Sequence, residues 1–200
     1  MNGLNVSRET QERLEIYAAL LQKWSPKINL VASGSLPNLW ERHFLDSAQV
    51  LERIDAVDGT WFDLGSGGGF PGLVCAILAK EAGSKLQFTL VESDQRKAAF
   101  LRTVSRETGV KVKVLALRIE QLPAEPVTIL SARALAPLPK LLQLSKHLIG
   151  PSTVALFQKG AQHKREVNDA LETWRFDLRT EQSRTDPLGV VLELRDIHHV

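Results

Sequence analysis

The feature that most constrains this chain is a glycine-rich stretch at residues 63–72. It reads Asp-Leu-Gly-Ser-Gly-Gly-Gly-Phe-Pro-Gly; a strand-like run at 60–64 leads into it and an apolar, helix-like run at 73–78 follows it. Glycines let the backbone turn tightly and come close to a ligand, and the N-terminus of a helix offers free N–H groups. A strand, a glycine turn and a helix in this order predict a site for a nucleotide-like cofactor.

Beyond residue 59 the chain alternates between strand-like and helix-like segments. Alternating strands and helices are typical of an α/β fold with a mostly parallel sheet and helices on both faces. Two final β-like runs flank the turn at 186–189 and predict a hairpin at one edge of a seven-stranded sheet. The predicted strands are 60–64, 86–91, 110–115, 127–131, 153–158, 175–180 and 190–194, and the helices are 71–82, 94–108, 139–147 and 162–174.

Two helix-like segments precede the first strand. Ser7 is placed to cap a helix that runs to about Trp24, and Pro26 is expected to end it. A second helix is predicted at 39–54. We therefore predict a helical extension at 1–58 packed on a cofactor-binding core at 59–200, the whole forming a single structural domain.

The composition argues against several classes of protein. No apolar run approaches the roughly 18–20 residues that a membrane span needs, and residues 1–11 lack the apolar core of a signal peptide. The single cysteine, Cys75, excludes an internal disulfide, and no Cys/His cluster has metal-ligand spacing. The net charge of +2 permits a nucleic-acid partner without demanding one. We expect a cytoplasmic protein with no membrane or metal partner.

The glycine pattern alone fits two cofactors. Residues 67–72 satisfy G-x-G-x-x-G, and Glu92 follows where the ribose-binding acid of a dinucleotide fold belongs. The same stretch fits a methyltransferase loop, with Asp63 ahead of Gly65, Gly67 and Gly69. A carboxylate at the end of the first strand suits a cationic ligand such as S-adenosylmethionine and would repel a pyrophosphate. The two leading helices, and a polar Arg118-Ile119-Glu120 segment placed to read an adenine, favour the same donor.

Several motifs together resemble one known family. They are Trp-Ser-Pro-Lys-Ile-Asn-Leu at 24–30, Arg-His-Phe-Leu-Asp-Ser at 42–47, the 63–72 loop, Leu-Val-Glu-Ser at 90–93, Arg-Ala-Leu-Ala at 133–136 and Lys-Gly at 159–160. This set resembles the RsmG family, also called glucose-inhibited division protein B. The two N-terminal motifs and the Gly-Phe-Pro-Gly turn are its more specific part.

The resemblance implies a Rossmann-like class I methyltransferase fold and a defined reaction. Family members transfer a methyl group from S-adenosylmethionine to N7 of one guanine in 16S small-subunit ribosomal RNA. The implied partner is that RNA or the small ribosomal subunit, and we expect a monomer. The resemblance also implies a set of cofactor contacts: Gly65, Phe70, Ile119, Glu120 and Arg133.

The chemistry of guanine N7 limits what the residues must supply. N7 carries an in-plane lone pair, so no general base is needed and positioning dominates. Arg133, near the carboxyl end of the fourth strand, is the first catalytic candidate, able to bind a phosphate or guanine O6. Asp46 is the second, as a carboxylate for the positive charge on the product base. An ordinary ion pair between Arg42 and Asp46 on a solvated helix is the competing interpretation.

Basic residues near these motifs suggest a rim for RNA phosphates. The predicted RNA-binding set is Lys27, Arg42, His43, Lys159, Lys164 and Arg165. A solvated helix face accounts equally well for the last two. An NAD(P)-binding oxidoreductase, a non-catalytic binding module and a methyltransferase of another RNA or a small molecule remain alternatives.

Overall fold

A seven-stranded sheet organises residues 3–200, the part of the chain that the computed structural model describes. The strand order is β3-β2-β1-β4-β5-β7-β6, with β1 to β5 parallel and β7 antiparallel to both of its neighbours. The strands are β1 Asp58–Leu64, β2 Lys85–Val91, β3 Lys113–Leu115, β4 Ile129–Arg133, β5 Val154–Lys159, β6 Trp174–Gln182 and β7 Val190–His199. The predicted parallel sheet and its C-terminal hairpin are confirmed.

Helices cover both faces of the sheet and bury two separate apolar cores. On one face α1 contacts both α3 and α4, and α5 and α6 contact each other elsewhere. β4 and β5 are buried along nearly their whole length, as expected for parallel strands that are covered on both faces. The helices are α1 Arg8–Ile28, α2 Asp46–Leu51, α3 Gly72–Glu81, α4 Gln95–Thr108, α5 Leu138–Ser145 and α6 His163–Ala170.

The first helix runs further than its sequence predicts. Its N-terminus is capped by Ser7, whose hydroxyl accepts from the backbone N–H of Thr10 at 3.2 Å. Pro26 was expected to end it but lies inside the last turn, and the helix continues to Ile28. Asn29, in the left-handed conformation with φ of 50°, closes the helix. The prediction failed because a proline near the end of a helix removes just one N–H from a turn that is about to stop.

The single helix predicted at 39–54 is wrong in its first half. A 3₁₀ turn at Ser33–Asn38 leads into a π-helical segment, Trp40–Leu45, and only then into α2 at Asp46–Leu51. A π turn is wider than an α turn and changes which side chains share a face. His43 and Phe44 both point inward from this segment. The spacing of apolar residues contains no signal for that change of period.

Several other boundaries move by a few residues, and two of the moves affect the site. Arg133 and Lys159 were predicted just beyond their strands but are the last residues of β4 and β5. The final helix ends at Ala170, so Trp174 begins β6 instead of closing a helix. None of the helices in residues 3–200 combines the length and apolar character needed to cross a membrane. The extension predicted at 1–58 begins with Met1 and Asn2, which lie outside the described residues.

Candidate active site

A large cavity opens where the parallel strands β1, β2, β4 and β5 end. Its volume is about 1010 Å³, comparable to the upper end of small-molecule sites. The glycine loop, the ends of β2, β4 and β5, the π-helical segment and the β6–β7 turn all contribute to its wall. The carboxyl edge of an open α/β sheet is where such folds bind their ligands.

The glycine loop turns between β1 and α3 with its backbone exposed to the cavity. Gly65 and Gly67 adopt φ values of 65° and 54°, a conformation that residues with a Cβ rarely adopt. A Cβ on Gly65 would lie 2.5 Å from the side chain of Leu135, whereas one on Gly67 would meet nothing closer than 3.8 Å. Gly65 therefore permits close packing on the β4 loop, and Gly67 leaves room on the cavity side. Both predicted residues line the cavity, as does Phe70, but Gly69 does not.

Glu92 organises the loop from the end of β2. Its Oε2 accepts from the backbone N–H of Gly67 at 2.8 Å, and its Oε1 accepts from that of Asp94 at 2.8 Å. The residue is 8% exposed and lines the cavity. Glu92 thus joins the glycine loop to the start of α4, and each oxygen retains a lone pair for a ligand hydroxyl.

The 3₁₀ turn after β3 forms the opposite wall. Ile119 is buried and Glu120 exposed, and both line the cavity where the resemblance placed the adenine-binding pair. Two cationic side chains, Lys97 and Arg118, also line the cavity.

Asp63 lies beneath the glycine loop and not in the cavity lining. It is 0% exposed, and its Oδ1 accepts from the hydroxyl of Ser131 at 2.7 Å. Within residues 3–200, Oδ2 has no hydrogen-bond partner. Burial raises the pKa of this carboxyl to about 6, against the opposing effect of the hydrogen bond from Ser131. Asp63 is therefore not placed for the expected direct contact with a cationic ligand, because the loop folds over the carboxylate.

A cluster around Arg133 forms the part of the wall nearest Phe70. The guanidinium lies over the Phe70 ring, 4.8 Å from its centroid. Nη1 donates to Asp46 Oδ2 at 3.2 Å and to the carbonyl of Arg42 at 3.2 Å. Nη2 donates to His43 Nδ1 at 2.8 Å. The sequence motifs at 42–47 and 133–136, far apart in the chain, therefore meet at one point.

The geometry determines the protonation of His43. Arginine can only donate, so Nδ1 of His43 accepts and the neutral ring carries its proton on Nε2. Nε2 lies 2.7 Å from the hydroxyl of Ser35, which donates in turn to the carbonyl of Ala32 at 2.7 Å. Burial and the nearby cations Arg133 and Arg42 lower the pKa of His43 to about 3. His43 is therefore a neutral acceptor at physiological pH.

The predicted RNA-binding residues separate into two groups. Arg42, His43 and Lys159 line the cavity, but Lys159 is 8% exposed and pairs with Glu166 at 2.8 Å. The other three do not line it: Lys27, Lys164 and Arg165 are exposed elsewhere. The predicted rim is thus not a continuous feature of the cavity mouth. The competing Arg42–Asp46 pair is also absent among the described residues, because Arg42 pairs with Asp186 at 3.7 Å and Asp46 with Arg133.

Sequence reasoning missed several residues of the wall. Gln158 precedes Lys159 at the end of β5, a position that the strand pattern would have indicated. Ser35, Ser183 and Thr185 gave no local signal, since the turns that carry them reach the cavity only after folding. Tyr17 lies on the buried face of α1, and its hydroxyl donates to the carbonyl of Gly68.

Several solved structures that share this architecture are methyltransferases. A SAM-dependent methyltransferase from Aquifex aeolicus aligns with a TM-score of 0.62 and 18% identity, covering 79% of this chain and 92% of that one. A ribosomal protein L11 methylase from Lactobacillus delbrueckii subsp. bulgaricus gives 0.61 and 13%, covering 76% and 77%. At these identities the likeness concerns the fold. The fold, with its cavity at the carboxyl edge beside a glycine loop, is that of the class I α/β methyltransferases.

Sequence comparison gives the family within that class. A family model described as rRNA small subunit methyltransferase G matches residues 10–187. A protein of that name from Ruegeria pomeroyi is 50% identical over 199 residues, covering 100% of this chain and 97% of the relative. One from Parvibaculum lavamentivorans is 51% identical over 196 residues, covering 97% and 86%. The chain belongs to the rRNA small subunit methyltransferase G family, as its motifs predicted, and is an enzyme of the methyltransferase class.

Proposed function

We propose that this enzyme transfers a methyl group from S-adenosylmethionine to N7 of a guanine in 16S small-subunit ribosomal RNA. The observation that carries the proposal is one cavity that joins an open glycine loop to the Arg133 cluster. The loop and the 3₁₀ turn at Ile119–Gln121 supply a cofactor wall, and the cluster supplies a cationic wall beside it. Family membership supports the same activity.

The residues of the cofactor wall fit the methyl donor. Gly67 has open space where a side chain would stand, so its backbone is accessible to the amino-acid part of the donor. Glu92 has lone pairs facing the ribose position, and Ile119 and Glu120 bound the space for an adenine. We propose Gly65, Gly67, Phe70, Glu92, Ile119 and Glu120 as cofactor-contacting residues. Asp63 and Gly69 do not line the cavity, and we propose that they support the shape of the loop.

The protein's part in the reaction is positioning. S-adenosylmethionine supplies an activated methyl group on sulfur. The N7 lone pair forms the new N–C bond as the C–S bond breaks, with that electron pair returning to sulfur. The purine gains a positive charge and no proton moves, so no side chain has to act as a base. Arg133 is positioned to fix guanine O6 or a neighbouring phosphate, and alignment of this kind contributes roughly 7–11 kcal/mol in favourable systems.

The RNA side of the proposal uses cations at the cavity mouth. Arg42, Lys97 and Arg118 are the lining cations that surround the opening, and Lys159 is already paired. Lys27, Lys164 and Arg165 are exposed and lie outside the lining, so we propose for them only a contact with RNA beyond the target nucleotide. The proposal includes a monomeric enzyme acting in the cytoplasm on the RNA or on the assembled subunit.

Labelled methyl transfer tests the function directly. Purified enzyme and labelled S-adenosylmethionine would be incubated with 16S rRNA, and separately with small subunits, both lacking the modification, and the modified base mapped. Label at a guanine N7 in either substrate is the expected result. Label at another atom, or in neither substrate, contradicts the proposal. Titration with NADH tests the oxidoreductase alternative, which the family match does not favour.

Arg133→Ala should abolish most of the transfer. Removing the guanidinium leaves the target base unaligned, and we expect kcat to fall about 100-fold or more, as for other lost alignments. Steady-state methylation of the RNA measures this. Arg106→Ala is the matched control, since Arg106 is an exposed arginine of α4 paired with its neighbour Glu107. If Arg133→Ala retains the rate of the control, Arg133 has no catalytic role.

A further inference from the structure

The carboxylate of Asp46 is occupied by hydrogen bonds from the protein on both oxygens. Oδ2 accepts from Nη1 of Arg133 at 3.2 Å and from Nε2 of Gln158 at 2.7 Å. Oδ1 accepts from three further side chains: Gln49 Nε2 at 2.8 Å, Ser183 Oγ at 3.2 Å and Thr185 Oγ1 at 3.0 Å. A carboxylate has about four acceptor sites. Asp46 therefore has no acceptor position left for a ligand.

These five donors come from separate elements of the fold. Arg133 and Gln158 are cross-strand partners at the ends of β4 and β5. Gln49 lies one helical turn further along α2, and Ser183 and Thr185 lie in the turn between β6 and β7. Asp46 thus joins the N-terminal segment, the carboxyl edge of the sheet and the C-terminal hairpin at the cavity wall.

Arg133 depends on this carboxylate for its place. Asp46 is the one carboxylate within ion-pair distance of Arg133 in residues 3–200. Both side chains are largely buried, at 18% and 15% exposure, so the pair is shielded from water. The remaining contacts of the guanidinium are with a neutral His43, a backbone carbonyl and the Phe70 ring. Without Asp46 the guanidinium would lose the one carboxylate that lies within ion-pair distance of it in residues 3–200.

We propose that Asp46 is a positioning residue, which acts on methyl transfer by holding the guanidinium of Arg133 and contacts neither donor nor base. This differs from the expectation that its carboxylate stabilises charge on the methylated base directly. The effect on rate rests on the proposed function, but the effect on Arg133 does not.

Asp46→Asn is the sharpest substitution. Both oxygens of Asp46 face N–H or O–H donors, so an amide of the same shape must turn its own NH₂ group toward one donor set. Side-chain ¹⁵N NMR of the enzyme without added ligands would report rotation about the Nε–Cζ bond of Arg133. We expect slow rotation in the wild-type protein and at least tenfold faster rotation in Asp46→Asn. Unchanged rotation overturns the proposal, whether or not the enzyme methylates RNA.

A double-mutant cycle of Asp46→Asn and Arg133→Ala separates positioning from direct catalysis. In the wild-type background Asp46→Asn should lower kcat about 100-fold, the scale of a misplaced catalytic group. The affinity for S-adenosylmethionine should change little. In the Arg133→Ala background the same substitution should lower kcat no further. An equal loss in both backgrounds shows that Asp46 acts independently of Arg133 and overturns the proposal. An unchanged kcat in the wild-type background does the same.

Glu181→Gln is the control for loosening the hairpin. Glu181 pairs with Arg53 at 3.3 Å and also ties β6 to the N-terminal part of the chain, but neither residue lines the cavity. Its variant should keep the wild-type kcat and Arg133 rotation. Thermal unfolding checks that every variant is folded. If Asp46→Asn does not fold, Asp46→Glu keeps the charge, displaces it by one methylene and is held to the same readouts.

Discussion

Several charged residues at this site are neutralised by the protein itself. Arg133 pairs with Asp46, and Lys159 with Glu166. Burial and the neighbouring cations lower the pKa of His43 and keep its ring neutral. A cation that is already paired and hydrogen-bonded keeps one orientation and needs little reorganisation when a substrate arrives. The charged side chains of these pairs therefore hold fixed orientations in the cavity wall.

Asp63 gives a pH dependence to stability. Its folded pKa of about 6 lies above the ordinary value of 3.8, so between these values the folded protein binds more protons than the unfolded chain. The free energy of unfolding should consequently increase, and the folded protein become more stable, as pH falls from about 6 toward 4. At pH 7 the buried charge costs about 3 kcal/mol, taking 1.36 kcal/mol per pKa unit.

Asp63→Asn should remove that cost. We expect the variant to unfold at higher denaturant concentration than wild type at pH 7, with the difference shrinking as pH falls to 4. Urea unfolding at a series of pH values measures it. A variant less stable than wild type at pH 7 would show that the carboxylate makes a favourable interaction in the folded protein.

His43 gives the stability of the protein a pH dependence of the opposite sign. Its folded pKa of about 3 lies below 6.5, so between these values the unfolded chain binds more protons and stability is lost as pH falls. His43→Asn keeps an acceptor for Arg133 but cannot titrate. Its melting temperature should fall less than that of wild type between pH 7 and 5. Parallel curves for the two proteins would contradict a neutral His43.

At the scale of elements, the N-terminal helix supports the cofactor loop. Tyr17 of α1 is fully buried, stacks on Phe70 at 5.4 Å between ring centroids and donates its hydroxyl to the carbonyl of Gly68. The π-helical segment brings Phe44 against the same rings. Elements that precede the first strand therefore hold a loop that follows it, and we propose that residues 1–58 form an extension packed on the core at 59–200 for this purpose.

Tyr17→Phe should weaken this support without changing the packing. A buried carbonyl left without its donor costs about 1–3 kcal/mol, so stability should fall by that amount, and S-adenosylmethionine should bind more weakly by calorimetry. Thr103→Val is the control, since the hydroxyl of Thr103 donates a solvent-exposed hydrogen bond to the carbonyl of Ala99 within α4. If both variants bind S-adenosylmethionine equally tightly, the loop holds its shape without the hydrogen bond from α1.

At the scale of the whole molecule, the cavity wall combines chain segments that are far apart in sequence. The bonds of Asp46 to Arg133 and to Thr185 join residues 87 and 139 positions apart. The net charge is only +2, so RNA attraction must come from how the cations are arranged. We expect three of the cations that line the cavity, Arg42, Lys97 and Arg118, to make the phosphate contacts.

RNA binding should weaken steeply with salt. Counterions released from phosphates make affinity fall as salt rises from about 50 to 200 mM, and filter binding of 16S rRNA measures the slope. Arg118→Ala, at the cavity mouth, should reduce the slope by about one contact. An affinity independent of salt would argue against a phosphate-binding rim.

The sequence by itself determined the elements, the sheet and the motifs. The strand–helix alternation, the glycine turn and the helix caps at Ser7 and Asp94 are local signals, and all three appear in the structure. The family motifs brought Arg133 and Asp46 to attention before their contact was visible. These features are written in neighbouring residues, because propensities and turn chemistry act over a few positions.

The tertiary structure decided what each residue does. It placed Asp63 under the loop, paired Lys159 inside the wall, left Lys164 and Arg165 outside it and made His43 neutral. The π-helical turn, and the contact of the C-terminal hairpin with Asp46, likewise had no local signal. Burial, hydrogen-bond partners and pKa shifts depend on groups that meet only when distant segments pack together. That is why the glycine loop could be read from the sequence, whereas the role of Asp46 required the fold.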